Sequence, residues 1–452
     1  MSTASTRSRE IQRHVEEQFR CPDDFLCCEL SEDLSPGHGY FRFGEGIVCY
    51  GPCAGGAPAS TPSEPLRDVA DLVVASPDGL RLPFDPSRVI DNLRRERYTS
   101  DRPLTTLTHL ARNGYYLVRP LLPVSLRKHI QKLYLRDWES LPFPRWPLDS
   151  TVEDIQKRLL LLSMKARGVE RVPFIWFWPD RSPSCTILTH DVETAAGVAY
   201  CPALMDLNDS FGIKSSFQIV PETRYPVSAN FLDSIRGRGF EVNVHDLTHD
   251  GHLFRDHKEF LRRAERINRH ARAFGARGFR SAIMYRNIDW HEALDVSYDM
   301  SIPNVAHLDP QRGGCCTVFP FFAGKILELP VTLIQDYSLF HILRDYTADL
   351  WKRQISLLLA RHGLVSAIVH PDYILEERPR RVYMELLRHL HELRAQAQTW
   401  IALPGEVDTW WRERHAMRLV KAGGGWRIEG RGSERASIAS AVLDGDNLVY
   451  EF

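Results

Sequence analysis

Four short apolar segments in the second half of the chain end in side chains that can carry acid–base or metal chemistry. They are TILTHDVE, EVNVHDLTH, GFRSA and VSAIVHPD. Enzymes built from parallel βα units place their chemistry at the C-terminal ends of the strands. One polar strand end would mean little, but four in one region indicate a shared site. The residues at these ends are Asp191, Glu193, His245, His249, Arg280 and His370.

The two histidines of HDLTH, His245 and His249, are four residues apart and could converge on one metal ion. Two neutral imidazoles and one carboxylate, with a position left open for water, suit a catalytic zinc site. Because such histidine pairs are also common in surface loops, this pair gains weight only from the acidic strand end before it. Asp191 and Glu193 both offer a carboxylate there, either of which could serve as the base for an activated water.

His370 and Arg280 supply the remaining parts of a hydrolytic site. A leaving amine needs a proton, which His370 could donate as a general acid. Arg280 could fix the orientation and the charge of the base carboxylate. A bound metal and a backbone N–H could stabilise the oxyanion. The set therefore predicts metal-assisted hydrolysis of an amide or an ester.

The region 183–405 alternates between strand-like and helix-like periodicity. This alternation is typical of βα units and predicts a parallel sheet or barrel. We predict strands at CTILTH, SSFQIV, GFEVNVH, GFRSA, ILELPVT and VSAIVHP. Amphipathic helices are predicted over 257–275, 347–363 and 381–397. These elements are the ones that must position the four polar strand ends.

Two further segments precede this region. Residues 1–110 are predicted to form an α+β module, with hairpins over 39–51 and 71–85 and a helix that begins at Pro86. We find no chemistry in this module. Residues 111–182 are predicted to form a helical connector.

The connector contains two amphipathic segments, at 125–138 and 151–168. Thr151 and Asp154 form an N-terminal capping signature for the second segment. The aromatic run FIWFWPD that follows is predicted to be a strand or wall packed on the next domain, because buried packing is a commoner use of such rings than sugar stacking.

The last segment, 406–452, is predicted to form a small β element. Its strands would turn at Gly423 to Gly425 and at Asp444 and Gly445. The chain is thus divided into an N-terminal module, a connector, a barrel and a small C-terminal element.

Composition and charge argue against several functions. The 452 residues carry a formal net charge of −1 and a pI of about 7.0, which gives no electrostatic basis for binding nucleic acid or an anionic membrane. No apolar stretch is long enough to predict a membrane helix, and the N-terminus lacks the apolar core of a secretory signal. The nine cysteines contain no CxxC pair and are typical of reduced thiols. We therefore expect a cytoplasmic protein.

The ordered set of motifs resembles the polysaccharide deacetylases of carbohydrate esterase family 4, the nodulation-factor-deacetylase-like hydrolases. The resemblance covers 183–400, about half of the chain. THDVE stands at the family's acidic strand end, HDLTH at its paired histidines, RSA at its arginine motif, and AIVHPD at its final apolar strand ending in histidine. Trp290 and Asp299 stand where the family has a tryptophan and an aspartate that support the acid histidine.

The resemblance implies a distorted (β/α)7-type barrel and a bound divalent metal, usually zinc. It also implies removal of acetyl groups from an N-acetylated sugar or glycoconjugate. By resemblance, Asp191 would be the base, Arg280 would hold it, and His370 would be the acid. The implied metal ligands are Glu193, His245 and His249, and the implied supporting residues are Trp290 and Asp299.

Three departures from the family pattern bear on these roles. Val192 separates Asp191 from Glu193, where many members have two adjacent aspartates, so the two acids could exchange roles. Asp246 replaces the usual serine or threonine after the first histidine. Ala282 replaces the proline of the arginine motif and leaves the substrate groove less defined.

Two other functions remain open on the sequence. One is a related metal-dependent C–N hydrolase that acts on a non-sugar amide. The other is a catalytically silent glycan-binding or scaffold protein whose working part is residues 1–170, although the presence of both Asp191 and His370 argues against it. Without an export signal, a nucleotide-linked or lipid-linked sugar is the expected substrate. The sequence does not identify the sugar, the metal or the oligomeric state.

Overall fold

The computed structural model describes residues 3–23, 25–99, 135 and 137–452. Most of the helix predicted over 125–138 lies outside the described residues. The boundaries predicted between the four parts of the chain stay predictions.

The helices differ in length; the first three pack on one another and on the short N-terminal strands, and several of the later ones contact the large central sheet. None of those in the described ranges combines enough length and apolar character to cross a bilayer. They are α1 Thr3–Phe19, α2 Pro86–Arg94, α3 Thr151–Arg167, α4 Ala195–Ser210, α5 Ala229–Gly237, α6 His257–Phe274, α7 Asp349–Leu359, α8 Glu377–Ala395 and α9 Pro404–Ala416, and a π-helix covers Ser338–Leu343.

The strands are mostly short. In chain order they are β1 Cys28–Leu30, β2 Gly39–Arg42, β3 Val48–Gly51, β4 Val74–Ser76, β5 Gly79–Leu82, β6 Arg171–Ile175, β7 Cys185–Val192, β8 Ser216–Ile219, β9 Glu241–His245, β10 Gly278–Arg280, β11 Tyr298–Asp299, β12 Phe321–Ala323, β13 Ile326–Glu328, β14 Leu364–Ile368, β15 Trp400–Ile401, β16 Arg418–Ala422, β17 Gly425–Glu429, β18 Ile438–Asp444 and β19 Asn447–Glu451.

One curled sheet forms the centre of the molecule. Its strands follow the order β12-β13-β11-β10-β9-β8-β7-β14, and β15 pairs with the start of β7. The pairs are parallel except at one edge, where β12 runs antiparallel to β13. The curl makes a half-barrel, so the predicted α/β class with a distorted barrel is confirmed.

The strands predicted from the sequence are present, and their burial explains their composition. β7 is buried along its whole length, from Cys185 to Val192. Helices cover the outer face of a parallel sheet, so neither face of such a strand meets water and the strand is a nearly continuous apolar run. The polar residues that interrupt this run come at its C-terminal end.

The gap between β13 and β14 is bridged by the segment that follows β13. The Leu333 N–H donates to the Ser366 carbonyl of β14 at 3.0 Å, and the Thr332 hydroxyl donates to the Leu364 carbonyl at 2.8 Å. The segment therefore runs beside β14 without forming a regular ladder. Its path leads the chain toward the C-terminal end of β14.

Helix α6 illustrates how the outer helices are specified. Its buried residues recur at helical spacing on one face and pack toward the sheet. At the start, the Asp256 side chain accepts a hydrogen bond from the Glu259 N–H at 3.0 Å. At the end, Gly275 adopts a φ of +59°, which favours glycine. The buried positions are Phe260, Ala264, Ile267, Ala271 and Phe274.

The second connector helix is present as α3, but its cap differs from the prediction. Ser150 is the residue before the helix, and its hydroxyl donates to Asp154 at 3.1 Å. Thr151 is already inside the helix, where its N–H donates to the Asp149 carboxylate at 2.8 Å. The predicted cap at Thr151 is thus wrong by one residue, because the Asp149 side chain fixes the turn one position earlier.

Both hairpins predicted in the N-terminal module are confirmed. The hairpin over 39–51 is β2–β3, and the one over 71–85 is β4–β5. Gly44 and Gly46 have φ values of +89° and +73°, which explains the two glycines around the first turn. The predicted helix does begin at Pro86.

The end of the chain forms two hairpins, β16–β17 and β18–β19. β18 also pairs antiparallel with β6, which begins just before the aromatic run FIWFWPD. The rings of this run are buried, and the Phe174 and Tyr450 ring centroids lie 5.2 Å apart. The run therefore packs on the C-terminal β element, which was not predicted, and also on the following region, as predicted, where Trp178 stacks on Phe319 with ring centroids 6.0 Å apart.

A buried ion pair holds the N-terminal part of the chain against the loop after β10. Arg286 Nε donates to Glu96 Oε2 at 2.7 Å, and a second guanidinium N–H donates to Oε1 of the same carboxylate. The Gly314 N–H also donates to Oε1 at 2.6 Å. The Arg286 and Glu96 side chains are only 1% and 7% exposed. The pair therefore links the N-terminal module to a loop that begins at the candidate site.

We expect Glu96→Ala to lower the free energy of unfolding by about 3–5 kcal/mol, because it leaves the Arg286 charge buried without its partner. Urea denaturation followed by circular dichroism measures this change. Glu377→Ala is the matched control: it removes an exposed partner of Arg381 and should cost less than about 1 kcal/mol. A small and equal change in both variants would contradict the role of the buried pair.

Candidate metal and active site

The polar strand ends meet at one edge of the curled sheet. β7, β9, β10 and β14 run in the same direction, so their C-terminal ends lie on the same side. Arg280 pairs in register with His245 across β10 and β9. The last residue of β14 pairs with β7 two residues before Asp191. The structure thus brings together Asp191, Glu193, His245, His249, Arg280 and His370.

A buried ion pair joins β10 to β7. Arg280 Nη1 donates to Asp191 Oδ1 at 2.6 Å and to the Thr189 hydroxyl at 2.8 Å. Arg280 Nε donates to the Met300 carbonyl, just after β11, at 2.9 Å. Arg280 is fully buried and Asp191 is 3% exposed. This pairing leaves Asp191 one oxygen, Oδ2, for other partners.

One carboxylate oxygen of Glu193 faces three imidazoles. Its Oε1 lies 2.8 Å from His249 Nε2, 3.3 Å from His370 Nε2 and 3.6 Å from His245 Nε2. Asp191 Oδ2 is farther from the nearest of these nitrogens, at 3.7 Å from His245 Nε2. Glu193, rather than Asp191, therefore lies at the centre of the nitrogen donors.

The imidazole of His245 turns its lone pair toward these carboxylates. Its Nδ1 lies 3.2 Å from the Arg280 carbonyl, which can only accept, so in the neutral ring Nδ1 carries the proton and Nε2 the lone pair. Nε2 of His245 and of His249 are buried without an aligned hydrogen-bond partner, despite the short contact of His249 with Glu193. A lone pair that faces a carboxylate needs a proton or a cation between the two groups.

The donor set fits a divalent metal. The ligand atoms of Glu193, His245 and His249 all lie within 4.8 Å of one another. Two imidazoles and a carboxylate match the ligands of catalytic zinc sites, which keep a further position open. The unsatisfied imidazole nitrogens are what such an ion would bind.

Asp246 shapes the turn that carries His249. Both residues adopt left-handed backbone conformations, with φ values of +54° and +53°. The Asp246 N–H donates to the Arg280 carbonyl at 2.8 Å, and its Oδ2 accepts from the Ala282 N–H at 3.3 Å. Asp246 thus ties the loop after β9 to the loop after β10. This contact gives a structural role to two of the positions that depart from the family pattern, the Asp246 side chain and the backbone N–H of Ala282, which a proline would lack.

The acid candidate His370 is held by an aspartate that the sequence analysis did not identify. Asp336 Oδ1 lies 2.7 Å from His370 Nδ1, and Asp336 Oδ2 accepts the backbone N–H of His370 at 2.6 Å. Asp336 is fully buried. Because the Asp336 carboxylate accepts at Nδ1, the Nε2 of His370 is the nitrogen that faces the site.

Asp336 reaches this place through the irregular segment that runs beside β14. That segment contacts Ser366 at Leu333, and three residues later the chain lies beside His370. The signal that could have found it is the one used elsewhere, namely an acid at the end of the apolar run ILELPVTLIQD. Because the apolar run continues for several residues beyond β13, the sequence did not show that Asp336 stands at its end.

Asp299, expected to support His370, lies on the other side of the sheet. Its Oδ2 is 3.3 Å from His291 Nδ1. Asp299 pairs in register with Phe279, the residue before Arg280. Since successive side chains of a strand point to opposite faces, Asp299 faces away from the side that carries Arg280. The aspartate that contacts His370 is therefore Asp336 instead of Asp299.

Trp290, the other expected supporting residue, packs against α6. Its ring centroid lies 4.9 Å from that of His257, 5.6 Å from that of Phe260 and 6.2 Å from that of Phe254. These contacts place Trp290 in the packing between α6 and the segment after β10. The structure does not bring Trp290 together with His370.

Charges in the site shift its titrating groups in the directions that hydrolysis requires. Burial alone raises the pKa of Asp191, but the Arg280 guanidinium and the nearby imidazoles outweigh it and lower that pKa below its usual value. Burial alone lowers the pKa of His370, but the carboxylates of Asp336 and Glu193 raise it well above its usual value. At neutral pH the first group is therefore ionised and the second protonated, as a base and an acid require.

No protein-family model and no curated protein matches this chain. Solved structures do. A candidate polysaccharide deacetylase from Mycobacterium smegmatis is 17% identical, with 53% of this chain and 93% of that chain covered and a TM-score of 0.43. A variant of the peptidoglycan deacetylase PdaC from Bacillus subtilis is 10% identical, with 52% and 94% covered and a TM-score of 0.33.

A third similar structure is a family 4 carbohydrate esterase pseudoenzyme from Bacillus anthracis. It is 15% identical, with 51% of this chain and 66% of that chain covered and a TM-score of 0.29. Deacetylases and a pseudoenzyme thus stand side by side among the similar structures. With identities of 10–17% and TM-scores below 0.5, these structures are similar in fold only. Activity depends on the residues of the site itself.

We expect Glu193→Gln to lose bound zinc and Asp191→Asn to keep it, because Glu193 faces the imidazoles while Asp191 is committed to Arg280. Inductively coupled plasma mass spectrometry of zinc-loaded, dialysed protein should find about one ion per chain in the unaltered protein. His252→Ala changes a half-exposed histidine of the same loop and should keep the metal. Metal lost from Asp191→Asn and kept by Glu193→Gln would reverse the two roles.

Proposed function

We propose that this chain is a metal-dependent hydrolase that removes acetyl groups from an N-acetylated sugar or glycoconjugate. One observation carries the proposal. A single edge of the sheet combines a two-histidine, one-carboxylate donor set with an ion-paired carboxylate and an aspartate-supported imidazole. Hydrolysis of an amide needs a metal or other electrophile, a base and an acid, and each has a candidate here.

Glu193, His245 and His249 would hold the divalent cation, and zinc suits this set of ligands. When bound, such an ion supplies Lewis acidity, which makes a nearby water more acidic and stabilises negative charge on a carbonyl oxygen. His245 is prepared for the role because its Nδ1 is engaged by the Arg280 carbonyl, which leaves the Nε2 lone pair available.

Asp191 would act as the base. Its Oδ1 is held by Arg280, so its Oδ2 is the atom that would take a proton from the attacking water. The Arg280 contact keeps the carboxylate ionised and fixes its orientation, because the arginine itself is held by Thr189 and by Met300. Arg280 is thus a positioning residue for the base.

His370 would act as the acid. Its Nδ1 is engaged by Asp336, so the proton on Nε2 is the one available to the departing nitrogen. Asp336 also accepts the backbone N–H of His370, which fixes the position of the whole residue as well as the ring. The sugar part of the proposal rests on the motif resemblance rather than on this geometry.

Acetate release from a panel of N-acetylated oligosaccharides and N-acetylated sugar nucleotides tests the proposal. We expect release by zinc-loaded protein, loss of release after chelation, and recovery when zinc is returned. Asp191→Asn should lower kcat by about 10²–10⁴-fold, because it removes the base. Undiminished activity in chelated protein or in Asp191→Asn would contradict the proposal. Release only from simple amides would indicate a non-sugar substrate, and sugar binding without release a catalytically silent protein.

Asp336→Asn should lower kcat by about 10²-fold or more while the KM and the zinc content change little. The physical reason is that the amide cannot stabilise the positive charge of the His370 imidazole or fix which nitrogen is protonated. Steady-state kinetics and metal analysis of the same preparation measure both effects.

Asp345→Asn is the matched control, because Asp345 lies just after the π-helix that follows Asp336 and accepts a hydrogen bond from Thr347 instead of contacting a site residue. Equal kcat values for Asp336→Asn and for the unaltered protein would contradict a role of Asp336 in the reaction.

A further inference from the structure

Three half-buried aromatic residues pack together beside His370. The Tyr373 ring lies against the His370 ring, with centroids 4.5 Å apart and planes 32° apart. Tyr337 and His341 pack against Tyr373, with centroid distances of 5.8 Å and 5.2 Å, and against each other at 5.3 Å. We call Tyr337, His341 and Tyr373 the aromatic wall. The three rings are packed on one another, are all half-buried, and contact the acid candidate through Tyr373.

The aromatic wall comes from an unusual piece of backbone. The π-helix Ser338–Leu343 begins two residues after Asp336 and ends at Arg344, whose φ is +58°. π-Helical turns are rare and recur at functional sites, because they change the direction of side chains that a regular helix would carry elsewhere. Here the turn brings Tyr337 and His341, four residues apart, to the same neighbour.

Tyr373 also has a polar group to offer. None of the described residues accepts a hydrogen bond from its hydroxyl, and its ring is only half-buried. Burial, together with the carboxylates of Glu193 and Asp336, raises the pKa of this hydroxyl well above its usual value. It therefore stays protonated and able to donate at any working pH.

We propose that the aromatic wall is the binding subsite for the sugar ring that carries the acetamido group. This inference rests on the proposed function and adds to it the residues that select the substrate. The amide nitrogen that receives a proton from His370 is bonded directly to a carbon of that ring. The ring must therefore lie next to His370, which is where Tyr373 begins the wall.

The chemistry of the wall suits a pyranose. A sugar ring has C–H groups on its faces and hydroxyls at its rim. Aromatic rings provide large apolar contact at little cost in side-chain entropy, and a tyrosine adds a hydrogen bond at its edge.

The test compares the hydrolysis of two acetyl donors and adds a separate measurement of sugar binding. Chitotetraose carries N-acetylated pyranose rings, whereas ethyl acetate carries an acetyl group without any ring. In Tyr337→Ala and in His341→Ala we expect the KM for chitotetraose to rise about 10-fold with little change in kcat, because the lost contact is made in the ground state and the transition state alike. Acetate release from ethyl acetate should be unchanged in both variants.

Two matched variants sharpen the test. Tyr373→Phe keeps the ring beside His370 and removes only the hydroxyl, so it should raise the KM for chitotetraose less than Tyr337→Ala does. Tyr346→Ala changes another half-buried tyrosine near the π-helix, which stacks on Phe340 at 5.4 Å, and should leave both reactions unchanged. Thermal unfolding of each variant shows that it is folded.

Binding of chitotetraose to zinc-loaded protein, measured by isothermal titration calorimetry, gives a readout besides activity. Weaker binding in Tyr337→Ala supports the wall even if no protein releases acetate, in which case the proposed function fails and the subsite stands. Equal losses with chitotetraose and ethyl acetate would show that the wall merely packs around His370 and would overturn the inference. Unchanged binding in both wall variants, or no binding to the unaltered protein, would overturn it as well.

Discussion

The buried ion pair between Arg280 and Asp191 is the interaction on which the site depends. It joins the ends of β10 and β7 across the inside of the curl, with β9 and β8 between them in the sheet. Such a pair is tolerated without water because the arginine has further partners in Thr189 and Met300. Since Asp191 is committed to this pair, Glu193 is the acid left to face the imidazoles.

The polar strand ends could be predicted because they need only the order and direction of the strands. Parallel strands place the same ends at the same edge, so His245 and Arg280 meet without any knowledge of distances. The roles of Asp191 and Glu193 could not be assigned from the sequence. Which of them is the base and which the metal ligand depends on the residues of other strands that each carboxylate contacts. The expectation that Asp299 supports His370 does not match the structure for a related reason: a shift of one residue in register sends a side chain to the opposite face.

The other features that could not be predicted from the sequence depend on contacts between residues far apart in the chain. Asp336 lies in a segment that accompanies β14 through a few hydrogen bonds and has no strand pattern of its own. The Glu96–Arg286 pair likewise joins residues far apart in the chain. The hairpins of the same module, by contrast, follow from local turn chemistry at Gly44 and Gly46 and were predictable.

A crystal structure of the zinc-loaded protein, with the metal located by anomalous scattering at the zinc edge, tests the central claim most directly. We expect one ion bound by Glu193, by His245 Nε2 and by His249 Nε2, with the Asp191 carboxylate still paired to Arg280. An ion bound by Asp191 with Glu193 turned away, or an ion that binds none of these residues, would contradict it.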